Sequence, residues 1–245
     1  MARSNLFIAA LFAVALLTLP ARQTAQSIPL QERAANVNAI TVPDIPGAPF
    51  SATAVIEVQQ YLPDGSTQIR RTINLIARDS QGRTHNETRR LMPQYFHGSP
   101  PLLSVRLFDP LTQMRTVCDP ALHVARQEIA ATKPLANSFP NPFKHIEDLG
   151  TTTLNGLQAK GTRRSYTIAA KASGTGSPVE IEVEEWYTED LHLNLLTRHT
   201  DPRIGILTVA VSALKRDEPP GSMFQVPAGY QIIDITPTPV PAPAP

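Results

Sequence analysis

The densest acidic run lies between Glu180 and Asp190, where Glu180, Glu182, Glu184, Glu185, Glu189 and Asp190 surround the only tryptophan, Trp186. Two carboxylates across a cleft are the equipment of glycoside hydrolysis, and several together can hold calcium. The same residues have a plainer reading. Val179, Ile181 and Val183 alternate with Glu180, Glu182 and Glu184, as a strand with one solvent face requires. His85 and Glu87, like His199 and Asp201, stand two apart and share one face of a strand, a spacing that metals use. Neither pair has a third ligand nearby in sequence, and Asp201 already serves a turn. His123, His145 and His192 make no ligand spacing. Ser212 and Lys215 fit a Ser-x-x-Lys nucleophile pattern, but that device works on a helix and these two sit in a strand without companion motifs. We therefore assign no catalytic residue, no metal ligand and no cofactor, and read the chain as a protein that is not an enzyme.

The paired arginines Arg70-Arg71, Arg89-Arg90 and Arg163-Arg164 each place one guanidinium on either face of a strand. They can line an anion-accepting groove or serve as cross-strand partners for the acids, and the second role is the simpler one. Cys118 is the only cysteine, so no internal disulfide forms, and it reads as a small buried apolar residue. Asn86-Glu87-Thr88 matches a glycosylation acceptor by pattern alone.

These residues need a scaffold, and the amino terminus says where it is built. Arg3 precedes the apolar run Leu6 to Leu19 and the helix breaker Pro20, which reads as a secretory signal peptide over residues 1–26. Fourteen apolar residues rise roughly 21 Å as a helix, short of a bilayer core of about 30 Å, so no membrane span is expected once the leader is gone. No cysteine adjoins the cleavage region to carry a lipid. Without Arg3 and Arg22, 20 basic residues face 21 acidic ones, a balance that offers no field to nucleic acid. The expected location is periplasmic or secreted.

Residues 27–49, with Pro43, Pro46 and Pro49, form an extended lead-in. From Phe50 to about residue 235 the pattern is that of a single β domain. Ala54, Ile56 and Val58 alternate up to a Pro63-Asp64-Gly65 turn, and Gln68 to Arg78 completes a hairpin. Thr84 to Arg90 is polar on both faces, as suits an edge or a wall open to water. Met92 to Pro101 interrupts the pattern. Asp109-Pro110, Asp119-Pro120 and Asp201-Pro202 end short strands, which predicts a meander of hairpins. Ala121 to Ala131 is a helical candidate by its spacing of Leu122, Ala125 and Ile129, although Leu122, Val124 and Arg126 also alternate like a strand. Asn155-Gly156 predicts a type I′ turn. Residues 236–245 form a Pro-rich disordered tail. The fold class is mostly β and antiparallel with few short helices; the resemblance that follows implies a curved sheet or half barrel, a β-sandwich being the alternative.

Four short stretches, F-D-P-L-T-Q (Phe108 to Gln113), V-E-E-W-Y-T-E-D-L (Val183 to Leu191), T-D-P-R-I-G (Thr200 to Gly205) and F-Q-V-P-A-G-Y (Phe224 to Tyr230), give the chain a resemblance. It resembles the bacterial lipoprotein-carrier superfamily, which holds periplasmic lipoprotein carriers and related sigma-factor regulators. The resemblance covers about Phe50 to Ile235 and implies an incomplete barrel whose concave apolar face holds acyl chains. The arginine on which the carriers' lid depends has no clear counterpart, and the Pro-rich stretches Met92 to Pro101 and Lys133 to Phe143 depart from the pattern. On this reading the ligand is a lipid or lipoprotein, contacted by Trp186, Tyr187, Leu193 and Leu195, which as ordinary core would look the same. The alternatives are a module that docks an envelope protein by a sheet edge or the tail, and a secreted hydrolase. If the alternation of Val179, Ile181 and Val183 runs on unbroken, Trp186 falls on the acidic face. Either a bulge near Glu184-Glu185 turns it inward, or both faces are partly covered.

Overall fold

Alternating apolar residues pair the first two strands, β1 (Phe50–Tyr61) and β2 (Thr67–Arg78), through the turn carrying Gly65 at φ 81°. The computed structural model describes residues 40–130 and 143–237. The expected leader, most of the lead-in and nearly all of the tail lie outside them. β3 (Thr84–Arg89), a two-residue β4 (Met92–Pro93), β5 (Leu102–Asp109), β6 (Met114–Asp119) and β7 (Val124–Ile129) follow. The second half holds β8 (His145–Leu154), β9 (Leu157–Ile168), a one-turn helix Ala170–Ser173, β10 (Val179–Thr188), β11 (Leu193–Asp201) and β12 (Gly205–Lys215). A 3₁₀ turn, Gly221–Phe224, leads to β13 (Gln231–Asp234).

All thirteen strands join one open, curved sheet in the order β13-β7-β6-β5-β3-β2-β1-β12-β11-β10-β9-β8, with β4 beside β2. Every pairing is antiparallel except β13 with β7. The three Asp-Pro turns form as expected. The Asp109 and Asp119 carboxylates each accept backbone N–H groups two and three residues on, and Asp201 accepts that of Arg203. Asn155 and Gly156, at φ 51° and 78°, make the expected type I′ turn.

Two expectations are corrected. Residues 121–130, the described part of that stretch, do not form a helix: the Asp119 turn consumes Pro120 to His123, with His123 at φ 52°, and β7 begins at Val124. Only one residue past β7 is described there. β3 is no edge either, since it lies between β2 and β5. Thr84 and His85 are buried, and the His85 Nδ1–H donates to the Met223 carbonyl at 2.7 Å, while His85 Nε2 and Asn86 Oδ1 have no hydrogen-bond partner among the described residues.

The sheet buries opposite faces in its two halves. Ala52, Ala54, Ile56 and Val58 of β1 and Leu207, Val209 and Val211 of β12 pack with Leu157, Ala159, Leu193 and Leu195 from the far strands, so the sheet curls over its own face. Each Ile, Val and Leu side chain among them contributes on the order of 1.5–3 kcal/mol by leaving water. Register carries that face from Ala52 to Ile76, to Asn86 and on to the exposed Arg106. Leu107, by contrast, lies beside His85 and Ala77, on the other face. There Val105, Leu107, Cys118 and Ala125 form a second cluster beneath Val226 and Tyr230. The segment from Arg216 onward is a strap that crosses this face to place β13 on β7. Glu218 accepts the Ser80 N–H, and the Arg83 guanidinium stands 5.2 Å over Phe224.

Arg78 ties the main core to its surroundings. It is fully buried, and its guanidinium donates to the carbonyls of Ala48, Pro43 and Leu191 at 2.8 to 3.1 Å while standing 5.3 Å from the Phe50 ring. Among the described residues no carboxylate comes within ion-pair distance of it. Lead-in, β2 and the β10–β11 turn are thus held by one side chain.

Candidate ligand-binding site

The β10–β11 hairpin carries the acidic run and the four residues expected to meet a ligand. Against β9, β10 pairs without interruption from Val179 to Tyr187. Against β11 the register slips between Trp186 and Tyr187, whose partners are Leu196 and Asn194, so Leu195 is the extra residue. The bulge therefore sits in β11, not in β10, and Trp186 stays on the face of Glu184. Its indole N–H donates to Glu184 Oε1 at 2.7 Å.

That face is apolar at this end of the strand. Trp186 lies opposite Gly161 and packs on the main core beside Leu154 and Ala159. A methyl at Gly161 would meet the ring carbons Cζ3 and Cη2 at 2.7 Å and Leu149 Cβ at 2.9 Å. A glycine inside a strand marks close approach by another group, and here that group is the indole. Leu193 and Leu195 are each 1% exposed in the same core. Tyr187 falls on the other face. It lines an open polar groove of about 370 Å³ with Lys160, Thr162, Glu189 and Asp190, its hydroxyl 3.1 Å from His192 Nδ1. The structure thus brings three of the four residues together and sets the fourth apart.

The acids do not spread over an open solvent face, as the alternation alone suggests: Glu182, Glu184 and Glu185 are half-buried. The arginine pair supplies partners for Glu184 and Glu185. Arg163 bridges Glu147 at 3.0 Å and Glu184 at 3.3 Å, and its hydrogen bond to Glu184 raises its pKa against the small cost of burial. Arg164 pairs with Glu185, which also accepts from Asn194 Nδ2 at 3.3 Å. Glu184 and Glu185 are neighbours in a strand and face opposite ways, so they do not converge on one substrate. In the same manner Arg71 pairs with Glu57 directly across β1 and β2.

His85 and Glu87 do share a face, with His85 Nε2 4.0 Å from Glu87 Oε1. Among the described residues no group of three His, Cys, Asp or Glu side chains is placed to hold a metal ion. Asp201 accepts from Arg203 at 2.8 Å. Burial works to raise the Asp201 pKa, but the Arg203 guanidinium and N–H and the charge of His199 bring it below the usual range. Cys118 is fully buried, which raises its thiol pKa. Sequence reasoning missed Gly161 and Arg78. The first was visible as a glycine within a strand pattern; the second gave no signal, because its partners are backbone carbonyls distant in sequence.

No protein-family model and no curated protein matches this chain. Solved structures do. The chain is similar to an uncharacterized conserved protein from Thermus thermophilus, at 10% identity over 77% of this chain and 91% of that one, with a TM-score of 0.41. It is similar also to a chain of the MucA/MucB complex of Pseudomonas aeruginosa, at 14% identity and a TM-score of 0.40. That match takes in 82% of this chain and 63% of the other, under two thirds of its length. A third is the Mycobacterium tuberculosis lipoprotein LppX, at 11% identity over 78% of this chain and 96% of that one, with a TM-score of 0.28. No residue role follows from likeness at that level.

Proposed function

We propose that this chain is a non-catalytic binding protein of the bacterial envelope, periplasmic or secreted, that holds an apolar or amphipathic ligand such as a lipid or acyl chain. The observation that carries the reading is the seat of Trp186. A half-buried indole rests on bare backbone at Gly161, its apolar edge against the curled core and its N–H on a half-buried carboxylate. An acyl chain would displace or extend that apolar packing along Leu193 and Leu195, while Glu184 and Arg163 keep a polar rim for a headgroup. Tyr187, on the opposite face, would contact only a ligand that wraps the hairpin. The domain is proposed to run over residues 50–235, between the leader with its lead-in and the Pro-rich tail.

Native mass spectrometry of the mature protein purified from a membrane-containing lysate, with organic extraction of what accompanies it, tests the proposal. A bound lipid is the expected result. Bare protein that also leaves a fluorescent fatty acid unbound overturns it. A second reading, an envelope docking module, is favoured by the outermost strand, β13, where Ile232, Ile233 and the following Ile235 stay exposed. On that reading deletion of Thr236 to Pro245 abolishes partner capture and leaves lipid binding unchanged.

A further inference from the structure

The face that holds the main core turns basic where that core ends. Ala52 and Ile76 lie within the core, and register carries their row across the sheet through Asn86 to Arg106 on β5, Val117 on β6, Arg126 on β7 and Ile233 on β13. Asn86, the step between core and arginines, has a buried Oδ1 with no partner among the described residues. Arg106 and Arg126 are both exposed, with the half-buried Val117 between them. Neighbouring strands lie about 4.8 Å apart, so the two Cα atoms stand about 10 Å apart, near enough for both guanidinium forks to close on one anion above Val117.

Elsewhere in the sheet an acid meets the arginine: Asp79 meets Arg83, Glu87 meets Arg89, Glu184 meets Arg163 and Asp201 meets Arg203. Arg106 and Arg126 have neither a hydrogen bond nor an ion pair from their side chains among the described residues. The acids on their own face are already committed. Glu128 pairs with Arg115 at 3.2 Å, and Asp119 accepts the N–H groups of Ala121 and Leu122 in its turn. Two like charges set in one row with no counter-charge repel, and an anion between them removes that cost. The surface around them is apolar: Phe108 is half-buried, and Ile233 and Ile235 are 37% and 47% exposed. Free guanidinium groups interleaved with aliphatic side chains suit a ligand that is both acidic and greasy. At the other rim Glu184 and Arg163 cancel each other, so the sign of a headgroup is decided here.

We propose that Arg106 and Arg126 together hold the anionic headgroup, phosphate or carboxylate, of an amphiphile whose chain runs toward the main core. Both guanidinium groups donate to its oxygens, and Val117 and Ile233 cover the first carbons of the chain. The inference rests on the lipid reading above and adds that the lipid is an acid.

Calorimetric titration of the mature protein with decyl phosphate, set against the uncharged decanol, is the test. Decyl phosphate should bind about tenfold more tightly, and the advantage should shrink as salt is raised. The double variant Arg106→Gln with Arg126→Gln alters two exposed side chains and should lose that advantage while binding decanol as the parent does. Backbone amide NMR shifts at Arg106, Val117 and Arg126 should follow the phosphate and not the alcohol. Equal affinity for the two amphiphiles, an advantage that survives in the double variant, or phosphate-dependent shifts confined to other strands overturns the headgroup site and leaves the lipid reading standing. Failure of both amphiphiles to bind overturns the two together.

Discussion

Trp186 covers Gly161 so closely that no side chain fits between them: an added Cβ would stand 2.7 Å from the indole. Gly161→Ala must therefore push the ring outward or move the β9 backbone, at a cost of about 1–3 kcal/mol. Trp186 is the only tryptophan. Its emission should shift to the red in Gly161→Ala, with a lower urea midpoint at an unchanged m-value. An unaltered spectrum would show that the indole does not rest there.

The buried guanidinium of Arg78 gives a second test. Arg78→Met keeps much of the volume but strands the carbonyls of Pro43, Ala48 and Leu191, and should lower stability by about 3–5 kcal/mol. Arg78→Lys retains the charge but loses the planar fork that reaches three carbonyls at once, so it should recover only part of the loss. Equal midpoints for Arg78→Lys and the parent would mean that charge alone matters.

Acid should act on the Glu87 cluster late. Burial alone would raise the Glu87 pKa, but the facing His85 ring, the Arg89 guanidinium and the Leu75 N–H hold it at about 2. At 4.0 Å the histidine nitrogen is beyond hydrogen-bond reach, so Arg89 at 2.7 Å is the firmer hold. Because the folded pKa lies below the unfolded one, this carboxylate stabilises the fold fully above the ordinary glutamate pKa, near 4.5, and ceases to as the pH falls toward 2. Glu87→Gln should flatten the stability profile over that interval and leave its slope between pH 6 and 8 as in the parent. A parallel profile would assign the acid sensitivity elsewhere.

The Cys118 thiol reports on the strap. It lies at 0% exposure in the cluster that Val226 and Tyr230 cover, and burial raises its pKa. Tyr230→Ala should speed its reaction with a thiol reagent by about tenfold or more while leaving the Trp186 emission in place. Reaction at the parental rate would show that the strap does not guard that face.

Local chemistry was the legible part of this chain. Asp109, Asp119, Asp201 and the Asn155-Gly156 pair announce their turns because each completes its own hydrogen bonds within a few residues. The hairpin meander follows from them, but the open sheet does not, since a β-sandwich would use the same turns. Where reading failed, the deciding contact lay on another strand. The helical spacing of residues 121–131 yielded to the Asp119 turn and to pairing with β6 and β13. β3 looked like an edge because polar residues occupy both its faces, although β2 and β5 flank it. The Trp186 question had no answer within β10, since the bulge that settles it belongs to Leu195 across the hairpin. Glutamates that alternation assigns to solvent are half-buried because Arg163 and Arg164 reach them from β9.

The strap also sets an order of events. β7 completes its outer ladder with β13, more than a hundred positions later, and the cluster around Cys118 has no cover until the segment from Arg216 onward has arrived. A chain delivered amino end first would thus spend the whole of its emergence with one apolar face closed late and a thiol in view. Folding of this domain is therefore a race between the segment from Arg216 onward and whatever reagent or sticky surface reaches that face first.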